Sequence, residues 1–262
     1  MATNVIRNGS KKGLLVGLLS SCFILPAKLY MDDSYLKRCD TKVRGIQGDL
    51  VTFESTVLHP LSGGVANDLG NVSCHGTSYD VIDVGEDKVT GDVIHALSKT
   101  PSFKIGDAAE IALDWERRYA LMKLHTAAHI LSSIMYGKYG ALVTGGHIEP
   151  DVAKDDFNIE RADKQLFEGV IDEVNAVASK TIEVKVYYLP RDRALEIPGI
   201  IKLADRLPPE SGELRIVEIV GRDIQADGGP HVRDTSEIGN VVLLRVENKG
   251  KNRKRVYYRI KD

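Results

Sequence analysis

The sequence predicts an α+β protein in which a small, β-barrel-like N-terminal domain precedes a second domain of mixed helices and strands. Residues 28–113 contain short strand-like segments interrupted by Gly, Pro and Asp, with no helical period. From Asp114 onward, stretches with helical spacing of apolar residues are interspersed with strand patterns. We therefore expect domains at 28–113 and 114–262, a boundary within residues 106–114, and a separate tail at 1–27.

The N-terminal half shows several short β-rich segments. They fall at residues 41–43, 50–54, 79–84 and 93–97. Pro60, Gly63, Gly64 and Gly70 indicate tight turns around them. Short strands with frequent turns are typical of a small barrel or a compact sheet, and we expect one of these here.

The second half begins with the clearest helix in the sequence. Asp114 is a candidate N-cap, apolar residues recur at helical spacing to about Tyr136, and Gly137 and Gly140 indicate the end. A second amphipathic helix is predicted over residues 162–179. Strands are predicted at 182–189, 215–220, 241–246 and 255–260.

Composition limits the chemistry that this chain can perform. The formal net charge of the 262 residues is −2, so any nucleic-acid contact must come from a local basic patch. The three cysteines, Cys22, Cys39 and Cys74, include no close pair, which argues against a disulfide scaffold and against a Cys-x-x-Cys zinc site. Histidine must therefore supply any metal chemistry.

Two histidines four residues apart lie on the predicted first helix. His125 and His129 belong to the segment Leu-His-Thr-Ala-Ala-His-Ile-Leu, and residues at this spacing share one helix face. Two imidazoles so placed can reach one metal ion. By itself this spacing is a weak signal, because such pairs more often pack together or face solvent.

A second histidine segment follows much later in the chain. It is Asp227-Gly228-Gly229-Pro230-His231, in which the paired glycines permit a tight loop. An ordinary surface turn is the alternative interpretation, since Asp-Gly-Gly-Pro is common in turns. Together, the two segments offer three imidazoles and one carboxylate, a ligand set suited to Zn²⁺.

These motifs and two others resemble the AlaX family of alanyl-tRNA editing proteins. His125-Thr-Ala-Ala-His129 matches the first metal-binding motif of the family, and residues 227–239 match its second motif with the segment that follows. Residues 58–70, which contain Gly63 and Gly64, resemble its glycine-rich motif, and residues 29–36 resemble its usual beginning. The resemblance covers roughly residues 28–262.

The sequence departs from the family pattern at three places. Asp227 stands where the family usually has Cys, Pro230 where it has Thr, and Leu61 with Ser62 where it tends to have glycines. The first change leaves three alternatives: a three-histidine site completed by water, direct or water-mediated binding by Asp227, or a tolerated variant. The third puts details of tRNA recognition in doubt.

The resemblance implies a class II synthetase-type (threonyl/alanyl) editing domain and a trans-editing hydrolase. Its partner is tRNA(Ala) mischarged with serine, or in some members glycine, and its cofactor is Zn²⁺. The residues implied are His125 and His129 as catalytic; His125, His129, Asp227 and His231 as metal ligands; Thr144, Thr126, Gly228 and Gly229 for substrate; and Gly63, Gly64, Lys249, Lys251, Arg253, Lys254 and Arg255 for nucleic acid.

Other functions fit parts of the sequence. A general metallohydrolase on a small ester or amide would use the same ligand set, and the Asp227 substitution would suit a non-catalytic tRNA-binding module. The basic C-terminal segment could be a solvated charged hairpin instead of a phosphate-binding surface. A detached piece of a synthetase ranks low, because the chain has no phosphate-binding glycine loop.

Residues 1–27 allow two interpretations. Lys11 and Lys12 precede an apolar run that is too short for a confident membrane span but resembles a secretory signal. We favour an upstream extension from an early start codon, because the rest of the chain suits an intracellular RNA enzyme. We accordingly expect a cytoplasmic protein that does not associate with membranes.

Overall fold

The computed structural model describes residues 26–161, 163–202, 204 and 211–261. Most of the proposed N-terminal tail, including Cys22, lies outside the described residues. Among the helices of the described part, none combines the length and apolar character needed to cross a membrane.

A closed six-stranded antiparallel barrel occupies the N-terminal part. Its strands follow the order β2-β3-β7-β6-β5-β8 around the barrel. The short strands β1 and β4 pair with each other in parallel beside it. The strands of this part are β1 (Ala27–Lys28), β2 (Arg38–Gln47), β3 (Leu50–Phe53), β4 (Ser55–Thr56), β5 (Gly70–Cys74), β6 (Thr77–Glu86), β7 (Val93–Leu97) and β8 (Ala108–Leu113).

The barrel closes because alternate residues of its strands point inward. Val51, Phe53, Val72 and Ile111 are almost completely buried in its core. Closure pairs β8 with both β2 and β5, so neither end of the strand order leaves an open edge. The predicted small barrel is confirmed. Strands β5 and β8 were not predicted, because their patterns are short and rich in small residues.

The C-terminal part packs three helices against two antiparallel sheets. One sheet has the order β14-β15-β10-β9, and the other has the order β11-β12-β13. The elements are α1 (Trp115–Tyr139), β9 (Val143–Ile148), β10 (Ala153–Phe157), α2 (Lys164–Ala178), β11 (Val184–Pro190), α3 (Arg191–Leu195), β12 (Glu213–Ile219), β13 (Asp223–Ala226), β14 (Asn240–Asn248) and β15 (Lys254–Lys261). The mixture confirms the predicted α+β class.

Both long helices lie close to their predicted bounds. The side chain of Asp114 accepts a hydrogen bond from the backbone N–H of Arg117 and so caps α1, which ends at Gly140 in the left-handed region. Gly137, predicted as a stop, lies within the helix instead. Along α2, Phe167 and Val174 bury the apolar face against the sheet and α1.

A buried ion pair joins the barrel to α1. Arg118 lies opposite Asp68, and both side chains are almost completely excluded from solvent. The guanidinium also donates to the backbone carbonyls of Ser34 (2.9 Å) and Val57 (2.6 Å). Because removal of either partner would leave an uncompensated buried charge, this pair holds the two parts in a fixed relation.

The glycine-rich loop of the barrel part reaches into the C-terminal part. Val65 forms a bridge with Ile148 of β9, and Val65 and Ala66 belong to the C-terminal hydrophobic core. Gly64 needs its glycine, because its φ is +90° and an added Cβ would lie 3.0 Å from the carbonyl oxygen of Gly146. The loop therefore forms part of the surface described next.

Candidate metal centre

Helix α1 places the first two imidazoles on one buried face. His125 and His129 are 5% and 6% exposed, and their ring centroids lie 5.0 Å apart. The four-residue spacing of a regular helix produces this separation. Burial of two polar rings on a helix face is costly unless their nitrogen atoms find partners.

The third imidazole comes from the loop that follows β13. The ring of His231 stacks on that of His125 at 4.1 Å and lies 4.5 Å from that of His129. The loop passes close to α1 because residue 229 is glycine: a Cβ there would lie 2.6 Å from the ring of His125. Distant parts of the chain thus bring three imidazoles together.

Asp227 completes the cluster. Its Oδ2 lies 3.2 Å from Nε2 of His231, and its Oδ1 lies 3.7 Å from Nε2 of His125. Candidate ligand atoms of His125, His129, Asp227 and His231 all lie within 4.8 Å of one another. Three nitrogens and one carboxylate oxygen at such distances can share one metal ion.

The outer nitrogen of each imidazole faces a hydrogen-bond acceptor. Nδ1 of His125 donates to the carbonyl of Pro230 (3.3 Å), and Nδ1 of His129 donates to the carboxylate of Asp223 (3.1 Å). With the proton on Nδ1, the Nε2 lone pair of each ring is free to bind a metal.

The proton on His231 is assigned through Thr126. The Thr126 hydroxyl donates to the carbonyl of Met122 (2.9 Å), so it accepts from Nδ1 of His231, 3.0 Å away. The Nε2 lone pair of His231 then faces the carboxylate of Asp227. A ring nitrogen lone pair and a carboxylate oxygen 3.2 Å apart suit a cation bound between them, so these residues fit a metal.

The electrostatics keep the cluster ready to bind a cation. Burial lowers the pKa of His125 well below its usual range, and the neighbouring His231 adds to this. Burial, together with His129, lowers the pKa of His231 to about 4. Burial alone would raise the pKa of Asp227, but His125 and His231 hold it well below its usual range.

Two supporting residues were missed by the sequence analysis. Asp223, fully buried, binds His129 with one oxygen while Nζ of Lys202 lies 2.7 Å from the other. Arg215 donates to the backbone carbonyls of Asp227 (2.8 Å) and Gly229 (3.0 Å) and so fixes the loop. A charged residue at the start of a predicted strand was the available signal for Arg215, whereas Asp223 lies outside the predicted strands and offered none.

A cleft of about 170 Å³ opens beside the metal cluster. His125, His129, Asp227 and Gln225 form one wall, strands β9 and β10 form the other, and the glycine-rich loop closes one side. The members that line it include Gly63, Gly64, His125, His129, Thr144, Gly145, Gly146, His147, Asp155, Gln225 and Asp227. Its size suits a small aminoacyl group.

The structure brings some predicted substrate residues to the cleft and places others elsewhere. Thr144 lines it, with its hydroxyl donating to the carbonyl of Asp156 (3.3 Å). Thr126 does not line the cleft, because its hydroxyl is buried against His231 and the carbonyl of Met122. Gly228 and Gly229 are absent from the described lining; Gly229 instead makes room for His125.

The residues predicted to bind nucleic acid also differ in where they lie. Gly63 and Gly64 line the cleft. Lys254 is buried and donates to Asn248 (3.2 Å) and to the carbonyl of Gly250 (3.4 Å), so its ammonium group is turned toward the hairpin turn. This burial could not be predicted, since sequence alone does not show which face of β15 is covered.

The remaining basic residues lie on or beside the turn between β14 and β15. Arg253 and Arg255 both pair with Asp156, which neutralises part of their charge. Lys249 pairs with Glu247 (2.9 Å), while Lys251 is exposed at the turn. The Arg253 guanidinium lies 3.6 Å from where a Cβ on Gly145 would be, so this turn borders the cleft.

Comparisons with known proteins agree with this geometry. Residues 214–257 match the family described as "Threonyl and Alanyl tRNA synthetase second additional domain". The chain is similar to "Alanyl-tRNA editing protein AlaX-M" of Saccharolobus solfataricus, with 49% identity over 235 residues that cover 89% of this chain and 98% of the relative. The protein of that name from Methanosarcina mazei is 31% identical over 243 residues, covering 89% of this chain and 96% of the relative.

A synthetase is also similar, over a limited part of its length. "Alanine--tRNA ligase" of Ignicoccus hospitalis is 31% identical over 223 residues, which are 83% of this chain and 24% of the ligase. The chain therefore corresponds to a segment of that enzyme and to nearly the whole of the AlaX-M proteins. With its barrel, its mixed C-terminal part and its clustered histidines, the chain belongs to the AlaX-M family of alanyl-tRNA editing proteins.

Proposed function

We propose that this protein removes serine, and to a lesser extent glycine, from mischarged tRNA(Ala) by metal-assisted hydrolysis of the aminoacyl ester. Membership of the AlaX-M family makes it an aminoacyl-tRNA editing enzyme that acts on alanine tRNA. One observation carries the finer proposal: three imidazoles with bonded outer nitrogens and one carboxylate converge beside a small cleft.

The metal is proposed to be Zn²⁺, held by His125, His129, His231 and Asp227. Nitrogen ligands with one carboxylate suit this ion, and a carboxylate can occupy the position of the family's usual Cys. When bound, Zn²⁺ supplies Lewis-acid chemistry toward an ester carbonyl or a water molecule. The surrounding acceptors, among them Asp223, hold the imidazoles in position for it.

The other wall of the cleft is proposed to select the amino acid. The Thr144 hydroxyl already donates to a carbonyl, so its oxygen can accept a hydrogen bond from the serine hydroxyl. An alanyl group would leave this oxygen without that bond and is expected to be processed more slowly. The glycine-rich loop, which includes Gly63 and Gly64, keeps the cleft narrow.

The tRNA is proposed to approach along the turn between β14 and β15. Arg253 borders the cleft and Lys251 is exposed beside it, so phosphates of the acceptor end would meet positive charge near the ester.

We also propose that the domains divide within residues 106–114, where the barrel closes, and that the protein acts in the cytoplasm.

The test is a deacylation assay on Ser-tRNA(Ala), Gly-tRNA(Ala) and Ala-tRNA(Ala), with zinc quantified in the same preparations. We expect serine release to be fastest, alanine release slowest, and all activity to be lost in His129→Ala. Unchanged activity in that variant would remove the metal centre from the mechanism. Binding of tRNA without turnover would favour the non-catalytic module, and turnover of small esters alone would favour a general metallohydrolase.

A further inference from the structure

Asp155 on β10 is a buried carboxylate that the proposed metal centre does not use. It is 6% exposed, and it lines the cleft on the wall opposite the metal cluster. It lies outside the four residues that could share one ion. A carboxylate is rarely buried to this degree without a cationic partner, which suggests that Asp155 has a function.

The two oxygens of Asp155 have different surroundings. Oδ2 accepts a hydrogen bond of 2.7 Å from the hydroxyl of Tyr258, a fully buried residue, and this bond fixes the plane of the carboxylate. Oδ1 receives no hydrogen bond from any of the described residues. The carboxylate is therefore held by one oxygen and has the other available.

Gly146 keeps the available oxygen open. It lies directly opposite Asp155 in the β9–β10 ladder, and an added Cβ would lie 2.7 Å from Oδ1. Gly146 has an ordinary strand conformation, so a glycine is needed here for space and not for backbone geometry. Strand pairing thus places an uncovered oxygen at the cleft surface.

The charge on this wall also lacks compensation. Burial raises the pKa of Asp155 to about 6, so the carboxylate is mostly ionised at neutral pH. The described residues that line the cleft include neither Lys nor Arg. A buried anion that opens onto a cleft with no Lys or Arg in its lining is well suited to bind a cationic group of a ligand.

We propose that Asp155 is a substrate-binding residue that receives the α-ammonium group of the aminoacyl ester. This inference rests on the proposed editing function. The ammonium is the cationic group of a seryl, glycyl or alanyl ester, and it lies one carbon from the ester carbonyl. Its capture by Asp155 would turn that carbonyl toward the imidazoles on the facing wall.

The experiment compares two esters that differ in the ammonium alone. One is Ser-tRNA(Ala), and the other is its deaminated form, glyceroyl-tRNA(Ala), in which a hydroxyl replaces the ammonium. Each rate is divided by the uncatalysed rate of the same ester. We expect the wild-type protein to prefer the seryl ester by at least about 10-fold, and Asp155→Asn, which keeps the size of the side chain, to reduce this preference to about 2-fold or less.

Tyr258→Phe is the matched control, because it removes the hydrogen bond but leaves the charge. It should lower the overall rate while retaining a preference for the ammonium ester. The inference is overturned if Asp155→Asn keeps the full preference, if it loses instead the preference for serine over alanine, or if it loses bound zinc with the preference unchanged. A wild-type protein inactive on Ser-tRNA(Ala) would instead refute the proposed function, and the inference with it.

Discussion

The two walls of the cleft differ in how completely their polar atoms are bonded. On the metal wall, every imidazole has an acceptor on its outer nitrogen: Pro230 for His125, Asp223 for His129 and Thr126 for His231. On the facing wall, the adjacent glycines Gly145 and Gly146 lie among a few polar groups, and Asp155 has an oxygen open to the cleft.

This difference indicates that one wall suits metal binding and the other suits substrate binding. A metal site requires ligands held in one orientation, so buried acceptors fix its imidazoles before any ion arrives. A substrate site must leave hydrogen-bonding capacity for its ligand, and small residues provide the space. Substitutions on the first wall should therefore act on metal binding and rate, and those on the second on selectivity.

The largest effects are expected where a metal ligand is lost, as in His231→Ala. Loss of this imidazole removes a ligand and leaves Asp227 without its nearest imidazole, so both zinc content and serine release should fall, the rate by at least about 100-fold. Metal analysis and single-turnover deacylation measure these changes. His147→Ala serves as a control, since His147 lines the cleft but pairs with Glu149 (2.9 Å), and it should retain bound zinc.

A smaller effect is expected for Asp223→Asn. The amide would accept a weaker bond from His129, and the buried Lys202 would lose its counter-charge. Zinc affinity should fall about 10- to 100-fold, the range typical of residues that support metal ligands. Titration of metal-free protein with Zn²⁺ measures this affinity. An unchanged value would show that the hydrogen bonds on the outer nitrogens do not hold the imidazoles in position for the metal.

The sequence predicted the metal wall better than the facing wall. Helical periodicity placed His125 and His129 on one face, the turn segment offered Asp227 and His231 as further ligands, and the family resemblance supported joining the two segments in one site. Asp223 and Thr126 could not be assigned, because their contacts join residues roughly a hundred positions apart. Thr126 was predicted to bind substrate from its position in the motif. Its burial and its hydrogen bonds follow from tertiary packing, which that position does not reveal.

The facing wall depends on strand register, which the sequence did not reveal. Neither β9 nor β10 was predicted, because glycines and charged residues disrupt the alternating pattern in both. Without that pairing, Asp155 could not be placed opposite Gly146, nor Asp156 beside Arg253 and Arg255. The barrel was easier to predict, since turns and short β-rich segments mark it along the chain.

Two threonines, one on each wall, provide a matched pair of tests. Thr126→Val removes the hydroxyl that orients His231 and should lower zinc affinity and rate together by up to about 10-fold. The ratio of serine to alanine release should stay the same. Deacylation of Ser-tRNA(Ala) and Ala-tRNA(Ala) by this variant checks both parts, and an altered ratio would contradict the division between the walls.

Thr144→Val should show the opposite behaviour. Zinc content should be unchanged, while the preference for serine over alanine falls by about 5- to 10-fold because the hydroxyl partner is lost. The two release rates and metal analysis measure this outcome. Preserved selectivity with a full complement of zinc would exclude Thr144 as the residue that senses the serine hydroxyl.

The smallest effect is expected outside the cleft, at the turn between β14 and β15. Lys251→Gln should weaken tRNA binding and reduce the slope of log affinity against log salt by about one unit. Lys254→Gln should leave that slope unchanged, since its ammonium group is bonded to Asn248 and buried. Filter binding over a range of salt concentrations distinguishes the two; equal slopes in both variants would argue against phosphate contacts at this turn.

The central claim is that one metal ion, held by His125, His129, His231 and Asp227, is required for removal of serine from tRNA(Ala). The most direct measurement is to strip the protein with a chelator and add Zn²⁺ stepwise while following both binding and serine release. We predict that activity returns in proportion to bound metal and reaches its maximum at about one equivalent. Full serine release by the metal-free protein would contradict the claim.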